Sequence, residues 1–241
     1  MEKRPSEKTG RDLERHEIRF RAVRVLRAAK KYIKLKELSS LTGISMPLIS
    51  RYINGKILPN YATSQVLLKS VLKREVVASI LLKGLTSARL PGGPVYALDL
   101  AAGDPDILYL IAEYIAHDVE RDFDVIVTPE AGGITFASAL ALVTGKRLVI
   151  AAKRKPIEGD YIEVPVIRDP ANIEYYYIPK YPLEPAEAAI IVDDFSVRGA
   201  TIRALRDALE ANGVGVEAIY LIVALGEEWA KIPGARAILT L

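Results

Sequence analysis

Two adjacent carboxylates, Asp193 and Asp194, close the apolar run Ile190-Ile191-Val192. A short polar loop with glycine follows, Phe195-Ser196-Val197-Arg198-Gly199-Ala200-Thr201, and then a helix-like stretch to Leu209. That order of residue types suits a sugar-phosphate site. Carboxylates at the end of a buried strand accept hydrogen bonds from ribose hydroxyls. The loop offers backbone N–H groups to a phosphate at a helix N-terminus, where the helix dipole also favours negative charge. The same pattern describes a strand ending in solvated aspartates before an ordinary turn, and alone it leaves both open.

The elements that must position these residues alternate from Val95 onward. The apolar runs Val95–Leu100, Asp124–Thr128, Arg147–Ala152, Ala188–Val192, Ala218–Ala224 and Ala237–Leu241 are expected strands. Pro105–Val119, Ile134–Val143, Thr201–Ala211 and Glu227–Ala230 are expected helices. Near-continuous Val/Ile/Leu strands separated by helices imply a parallel sheet covered on both faces. Ligands on such sheets bind beyond the carboxyl ends of the strands, and the polar motifs fall there. After Thr128 comes Pro129-Glu130-Ala131-Gly132-Gly133, whose small residues let the backbone approach a pyrophosphate. After Ala152 comes the cationic cluster Lys153-Arg154-Lys155, suited to phosphate charge. Asp193 and Asp194 complete the set.

The N-terminal part differs in kind. Residues 1–75 carry 18 Lys/Arg against 7 Asp/Glu, and the remainder carries 15 against 23. A basic head on an acidic body points to a polyanionic partner for the head. Arg11 to Tyr32 reads as a helix with Leu13, Ile18, Val23, Leu26 and Ala29 on one stripe. Lys36 to Lys56 then reads as a short helix, a turn at Gly43 and a second helix. Ser45 is placed at the N-cap, Pro47 in the first turn and Asn54-Gly55 at the exit. Leu38, Leu41, Ile44, Ile49 and Ile53 would form a small core. Tyr61 to Leu85 reads as one long helix with Val66, Leu67, Val71, Leu72, Val76 and Ile80 inward. It would link head to body and help a dimer form. The stretch Leu90-Pro91-Gly92-Gly93-Pro94 reads as a linker. Two domains follow, 1–88 and 89–241.

Composition narrows the chemistry. Half of the 241 residues are hydrophobic, so the chain is expected to fold around a sizeable core. It contains no cysteine and two histidines, His16 and His117, which excludes thiolate sites and disfavours a histidine-built zinc site. No metal site formed by protein ligands alone is expected. No apolar run suits a membrane span, and Met1 to Arg11 lacks the apolar core of a signal peptide, so a cytoplasmic location and no membrane partner are expected.

Lys36 to Lys56 resembles the helix-turn-helix of phage-repressor type, including the exit Gly55-Lys56-Ile57-Leu58-Pro59. The resemblance implies that the second helix enters the major groove of double-stranded DNA. Ser45, Met46, Ser50, Arg51 and Asn54 are the candidate contacts there, and Lys34, Lys36 and Lys56 the candidate phosphate contacts. A helical protein–protein module using the same motif remains the alternative.

Val95 to Ala224 resembles the type I phosphoribosyltransferases. In that family a pyrophosphate loop, a basic pair, a mobile flap and an Asp-Asp–phosphate loop hold 5-phosphoribosyl-1-pyrophosphate with magnesium. The resemblance implies that Asp193 and Asp194 contact the ribose hydroxyls, and carry catalysis if the chain is an enzyme. Val197 to Thr201 would hold the 5′-phosphate, with Phe195 and Ser196 leading into that loop. Glu130, Ala131, Gly132 and Gly133 would face the pyrophosphate, beside Lys153 and Arg154. Gly159 to Lys180 would be the hood over the base site, its Tyr161 and Tyr175-Tyr176-Tyr177 either stacking on a base or forming an ordinary ribbon.

Two departures stand out. Arg198 occupies a position where the family carries a hydroxyl, and Ala200 replaces a frequent glycine. No flap signature with its usual lysine is present.

The whole chain resembles the archaeal phosphoribosyltransferase-like transcription regulators of the glucose–fructose catabolism kind. It is also similar in plan to bacterial purine repressors in its body alone. The implied fold is an all-α helix-turn-helix domain joined to an α/β domain with a parallel sheet and hood. The implied function is a homodimeric DNA-binding regulator sensing phosphoribosyl pyrophosphate or a nucleotide, with magnesium accompanying the pyrophosphate. The alternative is an active purine or pyrimidine phosphoribosyltransferase with an accessory head.

Overall fold

The computed structural model describes residues 5–85, 89–90, 93–94, 98–169 and 172–241. The chain divides into two compact units, Met1–Gly84 and Leu85–Leu241. The expected domain boundary abuts residues 86–88, which lie outside the described residues, as do 91–92 of the expected linker; its Leu90, Gly93 and Pro94 fall in short paired strands.

The first unit is helical: α1 (Pro5–Lys30), α2 (Leu35–Thr42), α3 (Met46–Ile53), α4 (Tyr61–Val71) and α5 (Arg74–Leu85). Gly43 joins α2 to α3 in the left-handed region, φ 70°, which glycine adopts without a Cβ penalty. Around it Thr42 Oγ1 donates to the Leu38 carbonyl at 2.7 Å, and Ser39 Oγ to the Ile44 carbonyl at 2.6 Å. These bonds satisfy polar groups that the tight turn would otherwise strand. Ser45 stands at the α3 N-cap, but its side chain makes no capping bond. The small core holds Leu38, Ile49, Tyr52 and Thr42, with Ile44 and Ile53 half-buried. Leu41, expected inside, is exposed, and so is Leu13. The α1 stripe is buried only from Ala22 onward, where α3 and α4 pack against the helix.

The expected helix Tyr61–Leu85 is two helices, and the reason is geometric. Leu67, Leu68, Val71 and Leu72 are buried, as are Val76, Val77, Ile80 and Leu81. At about 100° per residue a single helix would turn these two sets to roughly opposite sides. Breaking at Leu72–Lys73 lets both face inward. The Lys73 carbonyl restarts the ladder, accepting from the Val76 and Val77 amides. Val66, also expected inward, is exposed.

In the second unit a two-residue ribbon, β1 (Arg89–Leu90) with β2 (Gly93–Pro94), precedes α6 (Leu98–Ala102) and α7 (Pro105–Asp118). The expected strand Val95–Leu100 is therefore wrong at its described end: Leu98 onward is helical, and residues 95–97 lie outside the described ones. The remaining elements are β3 (Val125–Pro129), α8 (Gly133–Thr144), β4 (Arg147–Ala151), β5 (Tyr161–Asp169), β6 (Asn172–Pro179), β7 (Ala188–Ser196), α9 (Ala200–Ala211), β8 (Gly215–Ala224), a 3-10 turn (Glu228–Lys231) and β9 (Ala235–Thr240).

The sheet order is β4-β3-β7-β8-β9, and every pairing is parallel. Alternation along the strands sends Val127, Ile191 and Leu221 into a core shared with α9 and the β5–β6 hairpin. The intervening residues Ile126, Ile190 and Tyr220 are equally buried, and α8 packs against β3 and β7. Burying both faces explains the unbroken apolar run Ile190–Val192, each residue contributing about 1.5–3 kcal/mol.

Polar contacts tie β7 to the start of β3 and α7 to the sheet. Asp124 accepts from the Glu187 and Ala188 amides at 2.9 and 3.0 Å, fixing the start of β7. Those two bonds hold its carboxyl below the usual carboxylate range. Asp118, at the end of α7, accepts from Tyr220 OH at 2.9 Å and from Arg236 at 2.8 Å. Burial, and then the adjacent carboxylate, raise the Tyr220 pKa, so its phenol stays a donor at neutral pH.

Candidate functional site

The site forms where β3, β4 and β7 end on the same side of the sheet. Strand β7 runs further than its apolar stretch suggests, through Ser196 rather than stopping at Val192. Pairing with β3 stops at Ile191, whereas pairing with β8 continues to Ser196–Ala224. The acid pair thus lies on a strand end held from the β8 side beyond its last β3 partner. Successive side chains on a strand point to opposite faces. Asp193 is in register with Leu221 and is 7% exposed, so it turns toward the α9 side. Its Oδ1 accepts from the Asp194 amide at 2.9 Å. Asp194 is half-buried and turns the other way, toward the loop after β3.

That loop is shaped by what a side chain would strike. A Cβ on Gly132 would overlap the Asp194 carboxylate, placing its carboxyl carbon 2.5 Å away. A Cβ on Gly133 would meet Thr128 Oγ1 and approach the Val192 carbonyl to 3.1 Å. The two glycines therefore allow the loop to lie against the end of β7. The Glu130–Ala131 peptide bond is cis. Thr128 Oγ1 is buried with no hydrogen-bond partner among the described residues.

The carboxylate of Glu130 has a structural partner, accepting from the Lys153 amide at 2.7 Å and joining the ends of β3 and β4. The Lys153 ammonium stands 5.8 Å from the centre of the Tyr176 ring, within cation–π range. Tyr176 belongs to the hairpin, which an antiparallel bridge between Ala152 and Tyr177 pins to the end of β4. Tyr161 and Tyr177 meet edge to face at 5.4 Å, so these two tyrosines support the hairpin itself.

After β7 the chain turns at Ser196–Gly199 and enters α9. Ser196 Oγ accepts from the Gly199 amide at 3.1 Å, and Gly199 has φ 74°. A Cβ there would strike Ile232 Cδ1, which with Trp229 backs the loop. Ser196, Gly199 and Thr201 are buried, while Val197 and Arg198 are exposed. The loop is thus a fixed frame that projects a guanidinium and opens the first turn of a helix, whose leading amides have no intrahelical partner.

These residues enclose a cleft of ≈ 520 Å³. Glu130, Ala131, Lys153, Asp193, Asp194 and all of Phe195–Thr201 line it, together with Pro129 and Tyr176. Gly132 and Gly133 pack against Asp194 and the end of β7 without lining it, and exposed Arg154 does not line it either. Trp229, Ile232 and Thr128 support the site without any motif of their own in the sequence. A single tryptophan and a threonine near the end of an apolar strand are the only sequence signals for them.

The candidate DNA contacts lie in the first unit. On α3, Met46 and Arg51 are exposed and Ser50 is half-buried, and the exposed C-cap Asn54 sets its Nδ2 3.3 Å from Ser50 Oγ. Ser45, Lys34, Lys36 and Lys56 are also exposed.

The phosphoribosyl transferase domain model matches residues 104–232. The adenine phosphoribosyltransferase of Mycoplasmopsis pulmonis is 31% identical over 112 residues, 45% of this chain and 63% of that protein. The hypoxanthine/guanine phosphoribosyltransferase of Methanosarcina mazei is 32% identical over 129 residues, 54% of this chain and 67% of that one. The purine biosynthesis transcriptional repressor PurR of Bacillus subtilis is 30% identical over 137 residues, 56% and 48% respectively. This chain thus spans about two thirds or less of the length of these relatives. The crystal structure of adenine phosphoribosyltransferase from Thermoanaerobacter pseudethanolicus superposes with a TM-score of 0.57 at 22% identity, covering 67% of this chain and 99% of that one.

Proposed function

This chain belongs to the phosphoribosyl transferase domain family, and on that premise we propose that it is a DNA-binding transcriptional regulator whose C-terminal unit senses a phosphoribosyl compound or nucleotide. The observation that carries the reading is the cleft. Two carboxylates, a lysine and a loop opening onto a helix N-terminus meet in one concave space at three strand ends.

In this reading Asp194, the more accessible acid, accepts from a ribose hydroxyl. Asp193 orients the strand end through its bond to the Asp194 amide. The Val197–Thr201 amides hold the 5′-phosphate, with Arg198 adding a charge-assisted contact. Lys153 faces the second anionic group. Mg²⁺ keeps several waters and binds through one or two carboxylates plus ligand phosphates, and the acid pair beside a phosphate loop fits that donor set. Its contribution would be to neutralise pyrophosphate charge.

The first unit supplies the reader, with α2, the Gly43 turn and α3 as a helix-turn-helix. Met46, Ser50, Arg51 and Asn54 face base edges, and Lys34, Lys36 and Lys56 face phosphates. Two such heads in a homodimer would read a two-fold operator. A ligand changes DNA affinity only if it binds the DNA-competent and DNA-incompetent arrangements unequally. The test is a titration of the full chain onto duplexes from its own upstream region across a salt series. Saturable, salt-sensitive binding supports the reading, and its absence at every salt concentration removes it.

The second reading, an active transferase, is favoured by the retention of both carboxylates in the cleft. Pyrophosphate release would be assayed with adenine, hypoxanthine, guanine and orotate. Turnover abolished by Asp193→Asn and Asp194→Asn would establish it.

A further inference from the structure

The α3 helix is eight residues long and buries only two side chains, Ile49 and Tyr52. Two anchors on one helix face leave its tilt weakly determined by packing. Two arginines of α1 supply what packing does not. Arg27 Nε donates to the Ile53 carbonyl, in the last turn of α3, at 2.6 Å. Arg19 Nε donates to the Pro59 carbonyl, at the far end of the α3–α4 connection beside the α4 N-cap Asn60, at 2.7 Å. The carbonyls of a last helical turn lack intrahelical partners, and a cation there also suits the dipole. The two arginines are about 12 Å apart along α1, so they hold the α3–α4 connection at both ends, the last turn of α3 and the residue before the α4 N-cap. Gly55 completes the arrangement. It has φ 69°, and a Cβ there would come within 3.2 Å of the Arg27 guanidinium.

From these bonds we infer that Arg27 and Arg19 are positioning residues that fix the orientation of α3 against duplex DNA, acting through the Ile53 and Pro59 carbonyls rather than by touching the nucleic acid. The inference rests on the DNA-binding reading above. Recognition of base edges requires side chains held to within about half an ångström. A clamp on the reading helix therefore governs preference between sequences. A phosphate contact would instead govern overall affinity and its salt dependence.

The chemistry of the bond supplies a clean variant. In arginine and glutamine alike, the nitrogen attached to Cδ occupies the same place along the side chain. Arg27→Gln and Arg19→Gln therefore keep the donor and remove the charge, whereas Arg27→Ala and Arg19→Ala remove both. The full chain is titrated with a duplex it has itself selected from a random pool, and with a scrambled duplex of equal length. Salt slopes are measured for both. Hydrogen exchange is followed at the Asn54, Gly55 and Lys56 amides, which bond to carbonyls of α3.

The alanine variants are expected to lower the preference for the selected duplex roughly five- to tenfold, the effect of losing one net hydrogen bond, and to speed exchange at the α3 exit. The glutamine variants are expected to recover both, and all four to keep the parent salt slope. A shallower salt slope in Arg27→Ala and Arg27→Gln alike, by about one charge, would make Arg27 a phosphate contact and overturn the inference. So would alanine variants that match the parent in preference and exchange. If the parent binds no duplex, the DNA-binding reading fails separately. Exchange then decides the clamp: faster in alanine but not glutamine variants keeps it, and unchanged exchange removes it.

Discussion

Replacing Gly132 by alanine perturbs the cleft without touching a charged residue. Gly132 has φ −65° and ψ −35°, a conformation alanine adopts freely, so the backbone accepts the change. The new methyl instead meets the Asp194 carboxylate, whose carboxyl carbon lies 2.5 Å from the Cβ position. Ordinary carbon–carbon contact begins near 3.5 Å, so the carboxylate must retreat by about 1 Å. A shift of that size breaks a hydrogen bond to a ribose hydroxyl. Losing one bond to a charged acceptor costs about 1.5–3 kcal/mol, or roughly 10- to 150-fold in affinity. The assay is calorimetric titration of phosphoribosyl pyrophosphate with magnesium into the full chain, with thermal unfolding as the control for folding. Gly132→Ala is expected to lose affinity by that factor while unfolding within a few degrees of the parent. Unchanged affinity would refute the reasoning, because it would mean that Asp194 does not meet the ligand.

Three further outcomes are expected. Arg198→Thr replaces the projecting guanidinium with a hydroxyl and should weaken phosphoribosyl pyrophosphate binding roughly tenfold by calorimetry; a gain would mean that Arg198 fills the cleft. Arg51→Ala should weaken binding to a selected duplex by about 1–3 kcal/mol, and Lys36→Ala should mainly lower the salt slope, neither altering affinity for the sugar phosphate. Asp124 has a folded pKa below its unfolded value of about 3.9, so its contribution to stability is complete above that pH and lost as pH falls through the folded pKa. Asp124→Asn should accordingly flatten the acid side of the stability–pH profile measured by denaturant unfolding, and an unaltered profile would contradict the assigned hydrogen bonds.

The parallel sheet was legible because Ile190–Val192 and Leu221–Val223 are apolar without alternation, which only a strand buried on both faces requires. The convergence of Asp193, Asp194, Glu130 and Lys153 was legible from their shared position after consecutive strands. Other features were hidden. No glycine or proline marks the break at Leu72–Lys73, because the chain breaks there to reconcile two burial stripes whose conflict appears only on packing. The extension of β7 through Ser196 depends on Val223 and Ala224 of β8, which lie distant in sequence. Glu130 reads as a residue facing an anion, yet its carboxylate accepts from the Lys153 amide, a partner set by strand order rather than by local sequence. Apolar Leu13, Leu41 and Val66 were expected inward on periodicity alone, and periodicity does not report where the neighbouring helix ends.

The most direct measurement is the DNA affinity of the full chain as phosphoribosyl pyrophosphate with magnesium is titrated in. The account predicts a saturable change in affinity for the chain's own upstream duplex, abolished by Asp194→Asn. By linkage the duplex must change the affinity for the small molecule by the same factor. A chain that binds both partners, each with an affinity indifferent to the other, would contradict it.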